Sequence, residues 1–310
     1  MYLLGYDIGS SSVKAALVDA QTLETIGTVH YPDTEMDIIA RQKGWAEQHP
    51  EIWWENLQGA TQKLFRVFPV DRSQVVSIGL SYQMHGLVLI DETGFVLRPS
   101  IIWCDSRAVS IGETALDHLG RNYCFNHLLN APGNFTASKL KWVKDHEPAI
   151  YEAIDKVLLP GDYINMKLTG EVNTTVTALS EGVFWDFDQN QVSKELMGYF
   201  DFPCHFLPDL VDTCDVHGYL SRSAAAFLGL PMGIPVSYRA GDQPNNAMSL
   251  NVLKPGEIAA TGGTSGVVFG ITDQLLTDTE SRLNTFAHVN HRANDPRLGL
   301  LLCINGAGSQ

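Results

Sequence analysis

The chain has 310 residues, of which 45% are hydrophobic and 18% are charged, so it is long and apolar enough to bury a globular core. It carries 21 Lys and Arg residues against 35 Asp and Glu residues, which gives a formal net charge of −14. An acidic chain repels phosphate backbones and anionic lipid surfaces, so neither nucleic acid nor a membrane is an expected partner.

The five cysteines are widely spaced and form no C-x-x-C pair, which favours reduced thiols over a disulfide framework or a zinc site. The N-terminus has no basic leader, and no run of about 18 apolar residues occurs. These features predict a cytoplasmic protein with no signal peptide and no membrane span.

The N-terminal part of the chain alternates between strand and helix patterns. Residues 2–31 read as three short strands joined by turn residues, which predicts an antiparallel meander. The apolar spacing of residues 48–68 is helical. Residues 75–91 then read as a buried pair of strands around Gly86.

The later segments continue this mixture. Residues 136–154 predict an amphipathic helix, and Pro160 and Gly161 predict a turn. Residues 221–230 again predict a helix. The pattern as a whole predicts a mixed α/β fold.

Two segments share a weak internal similarity. Residues 9–19 (GSSSVKAALVD) and 262–272 (GGTSGVVFGIT) each place a turn of small and hydroxyl residues before an apolar strand. Such a match also arises by coincidence, but the second copy follows closely on an unusual polar segment. We therefore predict an N-terminal lobe over residues 1–246 and the start of a second lobe over residues 247–310.

The first of these turns is a candidate phosphate site, although it lacks the Walker A ending. Gly9 permits a close backbone approach, and Ser10, Ser11 and Ser12 add hydroxyls to a row of N–H groups that can hold an anion. Asp7, at the end of the preceding strand, is a candidate ligand for a hydrated Mg²⁺. The alternative is a hairpin turn whose serines cap their own backbone.

A second candidate site lies at the end of a predicted strand, in the sequence QMHG. Gln83, Met84 and His85 stand where polar side chains can project into a cleft. The alternative for His85 is a structural histidine with its hydrogen bonds satisfied.

The sequence IIWCDSR also ends an apolar strand with polar side chains. Trp103 and Asp105 suit stacking against a sugar and hydrogen bonding to it, whereas a turn pair of Asp105 with Arg107 is the simpler alternative. We interpret the Trp-rich segment over residues 44–54 as core packing.

Asp242 lies in the polar, turn-like segment AGDQPNNA. A carboxylate in a phosphoryl-transfer site orients the acceptor hydroxyl and takes its proton. The alternative is a turn aspartate that bonds its own backbone. No G-x-S-x-G elbow occurs, so a Ser-His-Asp hydrolase is set aside.

Taken together, eight segments resemble, in order and spacing, the FGGY carbohydrate kinases, and among them the xylulokinases. The segments are DIGSSSVK, GWAEQHPEIWW, QMHG, IIWCDSR, FTASKLKWV, KVLLPGDY, AGDQPNNA and GGTSG. The resemblance implies an α/β fold of actin-like, ribonuclease-H-like ATPase lobes that close over a cleft. It also implies a second lobe of the same type, which would be truncated here.

The resemblance implies ATP and Mg²⁺ as cofactors and a small-molecule sugar as substrate. It implies that Asp242 is the general base, that Met84 and His85 contact the sugar, and that Asp7 lies at the Mg²⁺. The phosphates would be held by the first turn and by a second turn at Gly263, Thr264 and Ser265.

The function implied by this resemblance is ATP-dependent phosphorylation of the terminal hydroxyl of a sugar, in particular a ketopentose such as D-xylulose. One alternative is a sugar-binding or regulatory module that lacks the nucleotide lobe. Another is an actin-like ATPase that acts on a protein client. The resemblance also leaves a homodimer open.

Overall fold

Helices and strands alternate along the chain in the computed structural model, which describes residues 1–262 and 266–304. The strands are β1 (Tyr2–Ile8), β2 (Val13–Asp19), β3 (Thr25–Tyr31), β4 (Glu47–Gln48), β5 (Val75–Tyr82), β6 (Val88–Ile90), β7 (Ser100–Ile101), β8 (Lys156–Leu158), β9 (Asn173–Thr174), β10 (Trp185–Asp186), β11 (Gln191–Val192), β12 (Asp209–Leu210), β13 (Gly218–Tyr219), β14 (Pro235–Gly241), β15 (Ile258–Gly262), β16 (Gly266–Thr272), β17 (Asn284–Ala287) and β18 (Leu298–Ile304). The helices are α1 (Pro50–Val67), α2 (Val109–Leu119), α3 (Arg121–Tyr123), α4 (Thr136–His146), α5 (Pro148–Glu152), α6 (Pro160–Thr169), α7 (Val176–Glu181), α8 (Lys194–Phe200), α9 (Arg222–Leu228) and α10 (Asp242–Ser249).

The chain divides into two compact units, each built from three segments. Unit 1 comprises Met1–Asp105, Ala149–Thr175 and His205–Ala240, and unit 2 comprises Ser106–Pro148, Val176–Cys204 and Gly241–Gln310. The predicted boundary near residue 246 divides the chain into two consecutive lobes, whereas these units each combine segments from several parts of the chain. The predicted boundary therefore stays a prediction.

Unit 1 is organised around a six-stranded sheet with the strand order β13-β14-β5-β1-β2-β3. β1 runs parallel to β5 and antiparallel to β2, and β2 runs antiparallel to β3, so the predicted meander is confirmed. In β2 the buried side chains of Val13, Ala15 and Leu17 alternate with the exposed Lys14 and half-buried neighbours, as a strand with one covered face requires.

The helix predicted over residues 48–68 is confirmed as α1, which packs against β2 and β3. Pro50 occupies its first turn, where a missing N–H costs nothing. Trp53, Leu57 and Leu64 recur at helical spacing and are fully buried, so they form the face that covers the sheet.

Three sequence predictions need correction. The predicted turn at Pro160 and Gly161 is the first turn of helix α6, because proline suits both positions equally well. The helix predicted over residues 136–154 is interrupted at Glu147, since the following Pro148 disfavours a helical conformation there. The two strands around Gly86 do not pair with each other, because β5 pairs with β1 and β6 pairs with β8.

Unit 2 contains an antiparallel four-stranded sheet with the order β15-β16-β18-β17. Its apolar core includes Phe269, Phe286, Leu298 and Leu301, which are at most 7% exposed. Along the described stretches of both units, no helix has the length and apolarity needed to cross a bilayer.

Candidate functional site

The first turn, residues 9–12, connects β1 to β2 beyond their last register pair, Ile8 with Val13. All three serine carbonyls of this turn accept hydrogen bonds from the protein. The Ser10 carbonyl accepts from Gln48 Nε2 at 2.7 Å, the Ser11 carbonyl from the Met36 N–H at 2.8 Å, and the Ser12 carbonyl from the Gly9 N–H at 3.1 Å. The carbonyl side of the turn is therefore fixed to its surroundings.

The N–H side of the first turn is in the opposite situation. Within residues 1–262 and 266–304, no group accepts a hydrogen bond from the N–H of Ser10, Ser11 or Ser12. Nor does any hydrogen bond in that part of the chain join a serine hydroxyl of the turn to the turn's own backbone, so the capping alternative finds no support. A row of backbone N–H groups without protein acceptors is the arrangement that holds anions.

Asp7 lies in β1, two residues before the turn. Its carboxylate is 31% exposed and forms an ion pair with Lys14, its register partner on β2, at 2.7 Å. Carboxylate and hydroxyl oxygens, such as those of Asp7 and the turn serines, are the hard donors that Mg²⁺ prefers. The residues present therefore fit a magnesium site, although Lys14 contacts the carboxylate in this structure.

The end of β5 lies directly beside the first turn. The Gln83 N–H donates to the Ile8 carbonyl at 2.8 Å, so the QMHG segment begins where β1 ends. Gln83 is 3% exposed, and both polar atoms of its amide lack a hydrogen-bond partner among the described residues. Because a buried amide without partners is costly, this side chain is suited to receive a polar ligand.

The backbone after Gln83 turns sharply. Met84 is 5% exposed, and His85 adopts a left-handed conformation with φ of +62°. A side chain on the next residue, Gly86, would place its Cβ 2.5 Å from Pro160 Cγ, so only glycine fits there. The roles predicted for Gln83, Met84 and His85 as sugar contacts stay predictions.

Trp103 and Asp105 lie close to the same region of unit 1 but in different surroundings. Trp103 is 53% exposed, and its Nε1 donates to Ser10 Oγ at 3.2 Å, so this aromatic ring borders the first turn. Asp105 is 1% exposed, and its Oδ2 accepts from the Ala46 N–H at 2.6 Å. The carboxylate of Asp105 therefore supports the backbone of the neighbouring segment.

Asp242 is the first residue of helix α10, which follows β14 without a loop. The turn predicted for this segment is wrong, because Pro244 lies in the first helical turn, where proline is tolerated. A carboxylate at this end of a helix is favoured by the helix dipole. Asp242 is half-buried and belongs to unit 2, whereas the first turn and the end of β5 belong to unit 1.

Sequence reasoning missed the buried ion pair that anchors β14. Arg239 is fully buried, with Nε 3.1 Å from Asp162 Oδ1, and its Nη2 donates to the backbone and side-chain oxygens of Asn173 at 3.0 Å. Burial raises the pKa of the Asp162 carboxyl, and Arg239 counteracts that rise. The sequence did offer one signal for Asp162. It stands three residues after Leu159, the residue that caps helix α6, and an acid at that position commonly accepts from the N–H of the capping residue, as Asp162 does here.

The second predicted phosphate turn, at Gly263, Thr264 and Ser265, lies outside the described residues. The strands on either side of it, β15 and β16, pair in antiparallel register up to Gly262 and Gly266. The strand of the second similar segment, β16, is therefore paired in antiparallel register with the strand before it, as β2 is with β1.

One further group in the described part of unit 2 has the composition of a cation site. The ligand atoms of His127, Asp186 and Asp188 lie within 4.8 Å of one another. His127 Nδ1 bonds Asp186 at 3.1 Å, and Asp186 Oδ1 also accepts from the Gln189 N–H at 2.9 Å. These bonds account for the cluster as part of the unit's own hydrogen bonding.

The chain resembles carbohydrate kinases in both sequence and structure. Residues 2–249 match the profile described as the FGGY family of carbohydrate kinases, N-terminal domain. Xylulose kinases of Klebsiella pneumoniae and Escherichia coli are 33% and 32% identical to this chain over 93% of its length. The crystal structure of a xyloylose kinase from Brucella ovis superposes on the whole chain with a TM-score of 0.90 and 31% identity.

The matches cover only part of each relative. The chain spans 58% of the length of the two curated xylulose kinases and 62% of the Brucella ovis chain. The structural likeness confirms the predicted fold class, a mixed α/β lobe of the actin-like ATPase type. From the extent of the profile match and the identity to these relatives, the chain belongs to the FGGY family of carbohydrate kinases.

Proposed function

We propose that this protein phosphorylates the terminal hydroxyl of a sugar with ATP as the phosphoryl donor, and that the sugar is a ketopentose such as D-xylulose. Family membership supports a sugar kinase, and the names of the relatives that are 33% and 32% identical support xylulose as the substrate. A homodimer stays a prediction, and so does a second lobe beginning near residue 247.

One juxtaposition in unit 1 carries this proposal. The first turn has its carbonyls bonded inward and the N–H groups of Ser10, Ser11 and Ser12 without acceptors among the described residues. Directly beside it, the amide of Gln83 is buried and lacks a partner within the same part of the chain. An anion-holding backbone next to a polar, unsatisfied side chain suits a site where a phosphate meets a hydroxylated substrate.

The roles of the nucleotide-facing residues follow from their chemistry. Asp7 would hold Mg²⁺, which would offset the charge of the phosphates. The N–H groups of the first turn would bind phosphate oxygens and stabilise the charge that develops on the transferred group. Gly263, Thr264 and Ser265 would supply a second turn of the same kind.

The roles of the sugar-facing residues are assigned in the same way. Met84 and His85 would contact the sugar, with Gln83, Trp103 and Asp105 completing the binding region. Asp242 would orient the acceptor hydroxyl and take its proton as the oxygen bonds to the γ-phosphorus and the bond to ADP breaks.

The proposal is tested by titrating this chain with D-xylulose and with Mg-ATP in a calorimeter, alongside an assay for ADP release. Sugar-dependent ADP release is the expected result for an active kinase. Sugar binding without nucleotide binding or turnover would instead favour the sugar-binding module. ATP turnover that does not depend on sugar would favour an ATPase with a protein client.

The assignment of the base has its own test. In a chain that shows sugar-dependent turnover, Asp242→Asn should lower kcat by at least about a hundredfold, because the hydroxyl loses its proton acceptor, while D-xylulose still binds. Asp273→Asn, which alters an exposed carboxylate of the same unit, is the matched control. An Asp242→Asn variant with wild-type kcat would remove Asp242 from the mechanism.

A further inference from the structure

Gln48 lies in the Trp-rich segment that the sequence suggested to be core packing. It is 1% exposed, and every polar atom of its amide is engaged. Nε2 donates to the Ser10 carbonyl at 2.7 Å and to the Asp37 carbonyl at 3.2 Å, and Oε1 accepts from Trp53 Nε1 at 3.0 Å. A buried amide whose nitrogen and oxygen are both hydrogen-bonded holds its neighbours in one arrangement.

Trp53 determines which way this amide faces. The indole N–H is a donor only, so the amide atom of Gln48 that faces it must be the oxygen. The NH₂ group is then directed to the carbonyls of Ser10 and Asp37. Trp53 is itself fully buried in α1, so the orientation of the amide is fixed by the core of unit 1.

The backbone that carries Gln48 is also anchored. β4 pairs with β7, where Gln48 lies opposite Ser100. The adjacent Glu47 forms a buried ion pair with Arg98, and Asp105 accepts from the Ala46 N–H. The backbone of Gln48, whose side chain donates to the first turn, is therefore held in place by its neighbours.

We propose that Gln48 is a positioning residue for phosphate binding by the first turn, an inference that rests on the function proposed above. In a trans peptide the carbonyl and the next N–H point in opposite directions. Holding the Ser10 carbonyl inward therefore turns the Ser11 N–H outward, toward an anion. The Met36 N–H acts on the Ser11 carbonyl in the same way and turns the Ser12 N–H outward.

Of the three donors to the turn carbonyls, only Gln48 donates from its side chain, so only its hydrogen bond can be removed by substitution. The bonds from Met36 and Gly9 come from the backbone. The ligand class it serves is a phosphate or polyphosphate anion. A carboxylate at position 48 would still accept from Trp53, but it could not donate to Ser10. It would also bring a negative charge toward the carbonyls and the bound anion, so Gln48→Glu should be more harmful than Gln48→Leu.

The test compares Gln48→Leu, Gln48→Glu and Trp53→Phe with the control Gln58→Leu. Gln58 is a glutamine of the same unit whose Nε2 also donates to a backbone carbonyl, that of Phe227, at 2.7 Å. Trp53→Phe keeps an aromatic ring in the core and removes the N–H that orients the amide, together with part of the ring volume, so it serves as a second probe if a Gln48 variant fails to fold.

The first readout needs no ligand. Amide hydrogen exchange at Gly9 and Met36, whose N–H groups donate to turn carbonyls, should accelerate about tenfold in Gln48→Leu, because the loss of a buried hydrogen bond loosens the turn. The acceleration should be smaller in Trp53→Phe and absent in Gln58→Leu. Unchanged exchange at both positions in Gln48→Leu would overturn the proposal.

The second readout is calorimetric titration with inorganic tripolyphosphate and, separately, with D-xylulose. Gln48→Leu should weaken tripolyphosphate binding about tenfold and leave D-xylulose binding unchanged, a split that a general loss of structure would not produce. Equal weakening of both ligands would overturn the positioning role. If the wild-type chain binds no tripolyphosphate, the phosphate function fails, and the exchange data still decide whether Gln48 shapes the turn.

Discussion

The two antiparallel strand pairs that flank the similar segments, β1–β2 in unit 1 and β15–β16 in unit 2, differ in their place within a sheet. β1 lies between β2 and β5, and its Leu4 is 1% exposed. β15 is an edge strand, and its Ile258 is 66% exposed. A similar local pattern therefore accompanies an antiparallel strand pair in both places, whereas burial depends on distant strands.

This difference separates local from long-range causes. A turn of small residues followed by alternating apolar residues is enough to form a hairpin. The support of the first turn comes from Met36 and Gln48, which are far along the chain. Hairpin formation is thus encoded locally, and the precision of a binding turn is encoded elsewhere.

The largest expected effect is at the interior strand. Leu4→Ala should lower the free energy of unfolding of unit 1 by about 3 kcal/mol, because it leaves a cavity in the core on the covered face of the sheet. Native-state hydrogen exchange at increasing urea, read separately for the peptides of each unit, measures this loss. A loss in unit 1 below about 1 kcal/mol would show that β1 is less tightly packed than its burial indicates.

Acid should weaken both units through histidines whose pKa burial lowers, namely His217 in unit 1 and His288 together with His291 in unit 2. Burial lowers the pKa of His217 in unit 1 and of His288 in unit 2 to about 4, and Arg239 contributes to the shift of His217. Between about pH 6.5 and pH 4 these two histidines are protonated in the unfolded chain but remain neutral in the folded chain. Stability is therefore complete above about pH 6.5 and falls toward pH 4, by up to about 3 kcal/mol for each of the two.

The substitution His288→Leu isolates the contribution of His288 in unit 2. The ring centroid of His288 lies 5.6 Å from that of Phe269 in β16, so this histidine packs against the sheet that contains β15 and β16. The variant should reduce the dependence of the stability of unit 2 on pH between 6.5 and 4, with His291 supplying the remainder, and leave unit 1 unchanged. His30→Leu, at an exposed position of β3, is the control. A pH dependence of unit 2 identical to wild type would contradict the assignment.

Two glycines, one beside each of these strand pairs, allow a more closely matched comparison because each lies against a phenylalanine ring. A Cβ on Gly299, in the strand beside β16, would lie 1.9 Å from the ring of Phe269, and a Cβ on Gly27, beside β2, would lie 2.1 Å from that of Phe68. Phe269 is 2% exposed within a strand, whereas Phe68 ends a helix and is half-buried.

We expect Gly299→Ala to cost about 2 kcal/mol and Gly27→Ala about half of that, because Phe68 has more room to move than Phe269. Urea unfolding followed separately in each unit measures both losses. Equal costs would mean that the ring of Phe269 relaxes as freely as the ring at the helix end.

The smallest effect is expected at the edge strand. Ile258→Ala should change the stability of unit 2 by less than about 0.5 kcal/mol, because its side chain is mostly in solvent. The same unfolding experiment as for Leu4→Ala supplies the measurement. A loss comparable to that of Leu4→Ala would mean that another surface covers β15 in solution.

The sequence predicted those elements whose cause is local. The meander of residues 2–31, helix α1 and helix α9 follow from apolar periodicity, and the structure confirms them. Pro160 and Asp242 were assigned to turns because proline, glycine and asparagine favour turns and helix starts alike. Only the residues that follow, and their packing, distinguish the two.

The roles of the candidate site residues stay predictions, but the structure shows which contacts around them the sequence could not reveal. Asp7, the turn serines and Gln83 were recognisable because their residue types suit a phosphate and a sugar. The hydrogen bond from Gln48 to Ser10 joins residues 38 positions apart, and no periodic pattern in the sequence indicates it. The same holds for the contact of Arg239 with Asp162, which depends on the tertiary fold.

The ion pair of Asp7 with Lys14 bears on the order in which ligands arrive. A free divalent ion would have to compete with an ammonium group 2.7 Å from the carboxylate that is proposed to receive it. A nucleotide that already carries its metal brings phosphates that can take over Lys14 at the same moment. In the proposed site, a nucleotide that brings its own metal would therefore displace Lys14 from Asp7 more easily than the ion alone would.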